Sequence, residues 1–199
     1  MKKTITITAL AILTVLPALG QAQINVLGGF QMLGSTNGFN IQDDWNGSLI
    51  LGMPVGYGRV AEVSWSRQKS FLEDQARGTN IKLFDLTVDY YQIGVAQELA
   101  PGEQMVPFGI ATLGAVRYIP KDSQFDDEWM FAITLGGGVR YYFNPKIGLR
   151  LGTRLMMPLS FSGGGLFCGT GGCNVGFGSY STFLQIDVSA GLTFKLGDS

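Results

Sequence analysis

Between residues 129 and 143 apolar and small or polar side chains alternate. Trp129, Phe131, Ile133, Leu135, Val139, Tyr141 and Phe143 share one parity, and Ala132, Thr134, Gly136, Gly138 and Arg140 share the other. A period of two puts the sets on opposite faces of a strand, as no helix does. Comparable stretches predict eight strands, at 24–33, 47–55, 59–70, 84–98, 106–119, 128–143, 147–161 and 183–196. Their connections differ systematically in length. Gly56-Tyr57-Gly58, Ala100-Pro101-Gly102-Glu103 and Asn144-Pro145-Lys146 are compact and built from turn residues, whereas 34–46, 71–83, 120–127 and 162–182 are long. Strict alternation of short and long predicts an all-β, eight-stranded antiparallel up-and-down barrel crossing a membrane, with the turns at one end and the loops at the other. A soluble sandwich has no reason to sort its connections this way.

The lipid-facing side follows from cost. In 147–155 the residues Ile147, Leu149, Leu151 and Leu155 alternate with Gly148, Arg150, Gly152 and Arg154. An arginine on the lipid face at mid-depth costs roughly 2–4 kcal/mol, so the arginines are expected inside. By the same rule Gln185, Asp187, Ser189, Gly191, Thr193 and Lys195 face inward on the last strand. The expected lumen set is Glu62, Asp85, Asp89 and Asp187 against Arg117, Arg140, Arg150 and Arg154, a structural ionic network filling a barrel just wide enough for its own side chains. Asp187 is expected to pair with Arg140, Arg150 or Arg154. Trp129, Tyr141, Tyr142 and Phe143, with Trp65, Tyr118, Phe161 and Phe194, lie where an interfacial girdle belongs. The dyad slips at Tyr90 and Tyr91, where Leu86, Val88 and Tyr90 are out of phase with Ile93 and Val95, and a bulge there would restore it. Pro158 cannot donate to a ladder and is expected at the outer rim.

Composition and charge narrow the class. Lys2 and Lys3 precede an apolar run from Ile5 to Leu16 that Pro17 closes, short of the about 20 residues a spanning helix needs. Small residues follow, the mark of a secretory signal, with cleavage before Gln21 or before Gln23. Taking the second site, 1–22 is the signal and 23–199 the barrel. The last strand ends close to Ser199, so no appended module is expected. With 29 glycines and only 15% charged residues, the chain is unlike a soluble domain, yet its mature part has no apolar run long enough for a spanning helix. A net charge of −1 without a basic tract argues against nucleic acid.

Candidate chemistry is sparse. The absence of histidine removes Ser-His-Asp, Cys-His and His-metal mechanisms. Cys168 and Cys173, the only cysteines, bracket a glycine-rich tetrapeptide in the last long loop, and after export a disulfide is expected. Asp122, Asp126, Asp127 and Glu128 are weak candidates for a divalent cation, in no calcium-loop spacing. No catalytic residue and no cofactor is expected. The glycines at 136–138 are read as easing curvature, since no helix follows for a phosphate loop.

With these residues in view, the chain resembles the small eight-stranded outer-membrane barrels, the OmpA/OmpX-like β-barrel domain family. The resemblance spans the whole mature chain and is carried by Leu135-Gly136-Gly137-Gly138-Val139-Arg140-Tyr141-Tyr142-Phe143, then Asn144-Pro145-Lys146 and Ile147-Gly148-Leu149-Arg150. It implies a bacterial outer membrane, insertion by the barrel assembly machinery, contact with outer-membrane lipid, and loops that meet an extracellular ligand. A non-enzymatic structural or adhesive role is expected first, a narrow pore or small-molecule conduit second, and a lipid-acting enzyme third. The family ends its last strand on an aromatic, whereas here Lys195, Leu196, Gly197, Asp198 and Ser199 follow Phe194.

Overall fold

The structure, a computed structural model, describes residues 22–33, 39–41, 44–74, 81–121, 127–159, 165–169, 172–176 and 184–197. The predicted signal segment therefore lies almost wholly outside the described residues. Eight long strands form the wall: β1 (Gln23–Leu33), β3 (Asp44–Gly56), β4 (Arg59–Asp74), β5 (Ile81–Glu98), β6 (Met105–Pro120), β7 (Glu128–Tyr142), β8 (Ile147–Leu159) and β11 (Gln185–Lys195). Each pairs antiparallel with its neighbour, and β1 pairs with β11 from Gln23↔Lys195 to Leu33↔Gln185. The sheet closes and has no free edge among these eight strands, which is what a backbone in hydrocarbon requires. The closure confirms the predicted barrel.

Three shorter strands stand outside the wall. β2 (Phe39–Ile41) adds to the outer end of β4, while β9 (Gly165–Gly169) and β10 (Gly172–Gly176) form a separate hairpin. The predicted long loop at 71–83 is partly strand, since β4 and β5 stay paired out to Asp74↔Ile81. Paired backbone remains satisfied on leaving the bilayer, so a ladder can run on as a ribbon.

The opposite end is held by compact turns. Gly102 follows Pro101 with φ +92°, and Glu103 N donates to Ala100 O, the type II arrangement in which the third position needs glycine. In the 143–146 turn Asn144 Oδ1 accepts from Lys146 N and Ile147 N at 2.9 and 2.8 Å. Gly138 answers a different need: a Cβ there would sit 2.0 Å from Leu151 O. Bare backbones let β7 and β8 approach where the Phe108 ring turns inward opposite Gly138.

Burial is inverted relative to a soluble protein. Val26, Leu49, Leu51, Val63, Ile93, Leu113, Leu135, Leu151, Val188 and Leu192 are exposed, and Asn25, Gln31, Ser48, Glu62, Gln92, Thr134, Arg140, Arg150, Arg154 and Asp187 are buried. Trp129 and Tyr141 stand twelve residues apart on β7. At about 3.4 Å per residue and a tilt near 40°, that is about 30 Å of height, close to a bilayer's hydrocarbon thickness. Pro158 is the penultimate residue of β8, beyond the last β11 pair at Met156, so its missing N–H costs nothing on that side.

The register corrects one expectation. No bulge occurs at Tyr90 and Tyr91, and β5 pairs without a shift against β6 from Leu86↔Pro120 to Glu98↔Phe108. Even-numbered residues face inward throughout this span, so Leu86, Val88 and Tyr90 point into the lumen, where they pack with Val116, Tyr118, Ala132 and Met156. The sign of the dyad changes because the surroundings change. Beyond the girdle the exterior meets headgroups and water, so apolar side chains gain by turning inward.

Candidate functional site: the filled lumen and the outer rim

Strand parity carries the long side chains of β4, β7, β8 and β11 to the barrel axis, where they form two ionic tiers. In the lower tier Glu62 accepts from Arg140 Nη2 at 2.7 Å and from Arg150 Nη1 and Nη2 at 2.7 and 3.1 Å. Arg140 Nη1 reaches Glu98 Oε1 at 2.5 Å. Both guanidiniums lie 4.6 Å from the centre of the Phe108 ring. Arg140 and Arg150 are directly opposite on β7 and β8, so Glu62 offsets a repulsion the register imposes. Lys195 adds a cation at the turn end, its Nζ 3.9 Å from the Tyr142 ring centre.

The upper tier centres on Asp187. Its Oδ2 accepts from Arg154 Nε at 2.6 Å, its Oδ1 accepts from Asn46 Nδ2 at 2.8 Å, and Arg154 Nη2 donates onward to Ser48 Oγ at 2.8 Å. Of the three partners open to Asp187 in the sequence, Arg154 is taken, because Asp187↔Arg154 is a direct cross-strand pair. Above it Tyr90 donates to Gln185 Oε1 at 2.6 Å, and Gln185 Nε2 donates to Tyr118. Between the tiers Leu27, Ile50, Phe108, Ile110, Arg150 and Arg154 surround a void of about 10 Å³. That is at the lower limit for one water molecule. The barrel is plugged at this level by its own side chains.

Asp85, Asp89 and Arg117 do not join this network. They are odd-numbered residues of β5 and β6 and stand on the outer face, with Asp89 between Arg67 and Arg117 in one row, Arg67↔Asp89↔Arg117↔Trp129. The expected bulge reverses the parity of β5 above Tyr90 and so turns Asp85 and Asp89 inward, while Arg117 is turned inward by the cost of a charge in hydrocarbon, which does not apply at this height. Arg67 Nε and Nη2 grip Asp89 at 2.7 and 2.6 Å, and Arg117 pairs with Asp127. Lys121 pairs with Asp85 at 3.7 Å. Asp127 is thereby engaged, while Asp122 and Asp126 lie outside the described residues. Glu128 opens β7 on the outer rim, exposed. Glu98 and Lys195 complete the lower tier, and Glu98 was missed although the parity set by Ile93 and Val95 already turns it inward.

Girdle assignments divide in the same way. Trp129, Tyr141 and Phe143 are exposed, as are Trp45, Trp65 and Tyr91, whereas Tyr118 and Tyr142 are buried inside. Phe161 lies outside the described residues. Cys168 and Cys173 occupy directly opposed backbone positions of the β9–β10 hairpin.

No family model matches the chain, and no curated protein matches it. Solved structures do. Neisserial surface protein A matches at 12% identity with a TM-score of 0.61, covering 87% of this chain and 96% of that one. The fold is that of the small outer-membrane barrels. Outer membrane protein OprG from Pseudomonas aeruginosa agrees at 12% identity and a TM-score of 0.58, over 90% of this chain and 98% of that one. Outer membrane protein AlkL, determined in lipid bilayers, gives 13%, 0.51, 90% and 92%. An apolar, aromatic-bounded exterior around a closed barrel of this fold is a surface suited to lipid.

Proposed function

We propose that this protein is a non-enzymatic integral outer-membrane barrel whose rigid, filled interior holds the loop end outside the cell for structural or adhesive contact. The observation that carries this reading is the pair of ionic tiers, Glu62 with Arg140 and Arg150, and Asp187 with Arg154, which span the lumen and leave a void of about 10 Å³ between them. Charged groups paired in this way resist displacement by a passing solute, since separating them strands a buried charge. A stiff scaffold suits contacts made through loops, because less of the binding free energy goes into ordering. The expected backbone partners are outer-membrane lipid and, during insertion, the barrel assembly machinery. Any extracellular ligand would engage the loop end.

Reconstitution in a planar bilayer tests the reading. The purified barrel should give no discrete conductance steps at ±100 mV, while cells carrying it should differ from deletion strains in surface attachment or envelope integrity. Regular steps would sink it. A second reading, a small-molecule conduit, is favoured by the apolar inner wall of the outer half, built from Leu86, Val88, Val116, Ala132 and Met156. Faster uptake of an apolar solute into liposomes bearing the protein, without ion conductance, would decide for it.

A further inference from the structure

The outer rim carries a group of cations that the lumen network does not use. On the lipid side of β4, β5 and β6, Arg67, Asp89 and Arg117 stand in one cross-strand row, with Trp129 as the next member on β7. One step toward the membrane centre is the row Trp65, Tyr91, Ala115 and Phe131, of which all but Ala115 are exposed aromatics. That aromatic row marks the interface, so the charged row sits at headgroup height.

Both guanidiniums are held in place before any ligand arrives. Arg67 lies 5.3 Å from the Trp65 ring centre and is clamped by Asp89 through Nε and Nη2. Arg117 lies 5.3 Å from the Trp129 ring centre and is clamped by Asp127 through the same two nitrogens. In each case Nη1 is left without a partner among the described residues, and the side chains remain 45% and 35% exposed. Asp89 is covered completely, so a molecule approaching from the lipid side meets the cations and not that carboxylate. Lys69, exposed and two residues beyond Arg67 on the same face, has no partner among the described residues. Lys121 and Asp85 form a neutral pair farther out. The strands that carry them, β4 and β6, run about 10 Å apart.

We propose that Arg67, Lys69 and Arg117 form an anchoring site for phosphate groups on the headgroups of outer-leaflet lipid. A guanidinium suits the task because its planar fork matches two phosphate oxygens and its charge does not titrate away. The carboxylate clamps and aromatic stacks keep the exposed edge oriented, so little side-chain freedom is lost when the phosphate binds. Arginine is costly at hydrocarbon depth, whereas at this height the same side chain meets the groups it binds best. The site would fix the depth of one side of the barrel and order lipid along β4–β6.

This inference rests on the outer-membrane reading, and the experiment separates the two. The protein is folded in maltoside micelles, where the heat-modifiable electrophoretic band reports the barrel, and native mass spectrometry then counts retained lipid. Probes are a bisphosphorylated acyl-glucosamine disaccharide, its dephosphorylated form, and inorganic phosphate. Wild-type protein should retain the phosphorylated lipid. Arg67→Gln/Asp89→Asn/Lys69→Ala, which leaves no lone carboxylate, should bind it at least about tenfold more weakly. Arg59→Gln, at the turn end, should bind as wild type. The dephosphorylated lipid and inorganic phosphate should show no comparable retention. Equal retention by the triple variant, equal loss in Arg59→Gln, equal binding of the dephosphorylated lipid, or equal binding of free phosphate would each overturn the proposal. If the triple variant loses the folded band, Lys69→Ala alone decides, since it removes no partner: about threefold weaker retention supports the site and unchanged retention overturns it.

Discussion

At the scale of single residues, the lumen is a set of cross-strand charge relations in which one carboxylate, Glu62, serves two cations. Glu62 separates Arg140 from Arg150, which the register places face to face. Glu62→Ala should therefore cost more than a lost surface pair, roughly 3–5 kcal/mol, because two buried guanidiniums then confront one another. Equilibrium urea unfolding in micelles measures this, and an unshifted midpoint would mean the tier is solvated. Asp187→Ala should cost a similar amount, while Asp187→Ala with Arg154→Met should recover part of it, since the second change removes the stranded cation. A double variant no more stable than the single one would show that Ser48 already satisfies Arg154.

At the scale of elements, the reading of β7, β8 and β11 from sequence was accurate to a residue or two at most ends because lipid on one side and a filled lumen on the other give the dyad two opposed environments along most of its length. Arg150 and Arg154 needed only the cost of a charge in hydrocarbon to be placed. β5 defeated the same rule. Its outer half leaves the bilayer, so Leu86, Val88 and Tyr90 gain by facing inward while Asp85 and Asp89 gain by facing out, and a bulge was assumed where none exists. A change of solvent along one strand leaves the sequence with a phase shift that looks like a change of backbone. Thiol labelling in a Cys168→Ser/Cys173→Ser background distinguishes the two: Thr87→Cys should react readily and Val88→Cys, at a position with 0% exposure, should be protected. The reverse order would restore the bulge. Other gaps had different causes. The ribbon of β4 and β5 to Asp74↔Ile81 lies beyond the membrane, where no lipid enforces a pattern. For the β9–β10 hairpin, the opposed backbones of Cys168 and Cys173 favour the expected disulfide, so alkylation of the exported protein should modify no thiol before reduction and two after it. Two reactive thiols beforehand would dismiss the bond.

At the scale of the whole molecule, closure, inverted burial and about 30 Å between girdles describe one object, a short β-cylinder turned inside out relative to a soluble core. Its charge is organised radially. Paired ions occupy the axis, aliphatic side chains the membrane face, and a second set of ions the outer rim at headgroup height. In the proposed reading the axis gives stiffness and the rim gives depth. The claim on which all of this depends is the direction in which each strand parity faces, and photolabelling tests it without altering the protein. An apolar carbene precursor dissolved in the bilayer of a reconstituted sample, with the modified residues mapped by mass spectrometry, should mark Leu149, Leu151, Leu155, Ile186, Val188 and Leu192 and leave Val88, Tyr90, Val116, Arg150, Arg154 and Met156 unmarked. Label on the second group, or its absence from the first, would contradict the account.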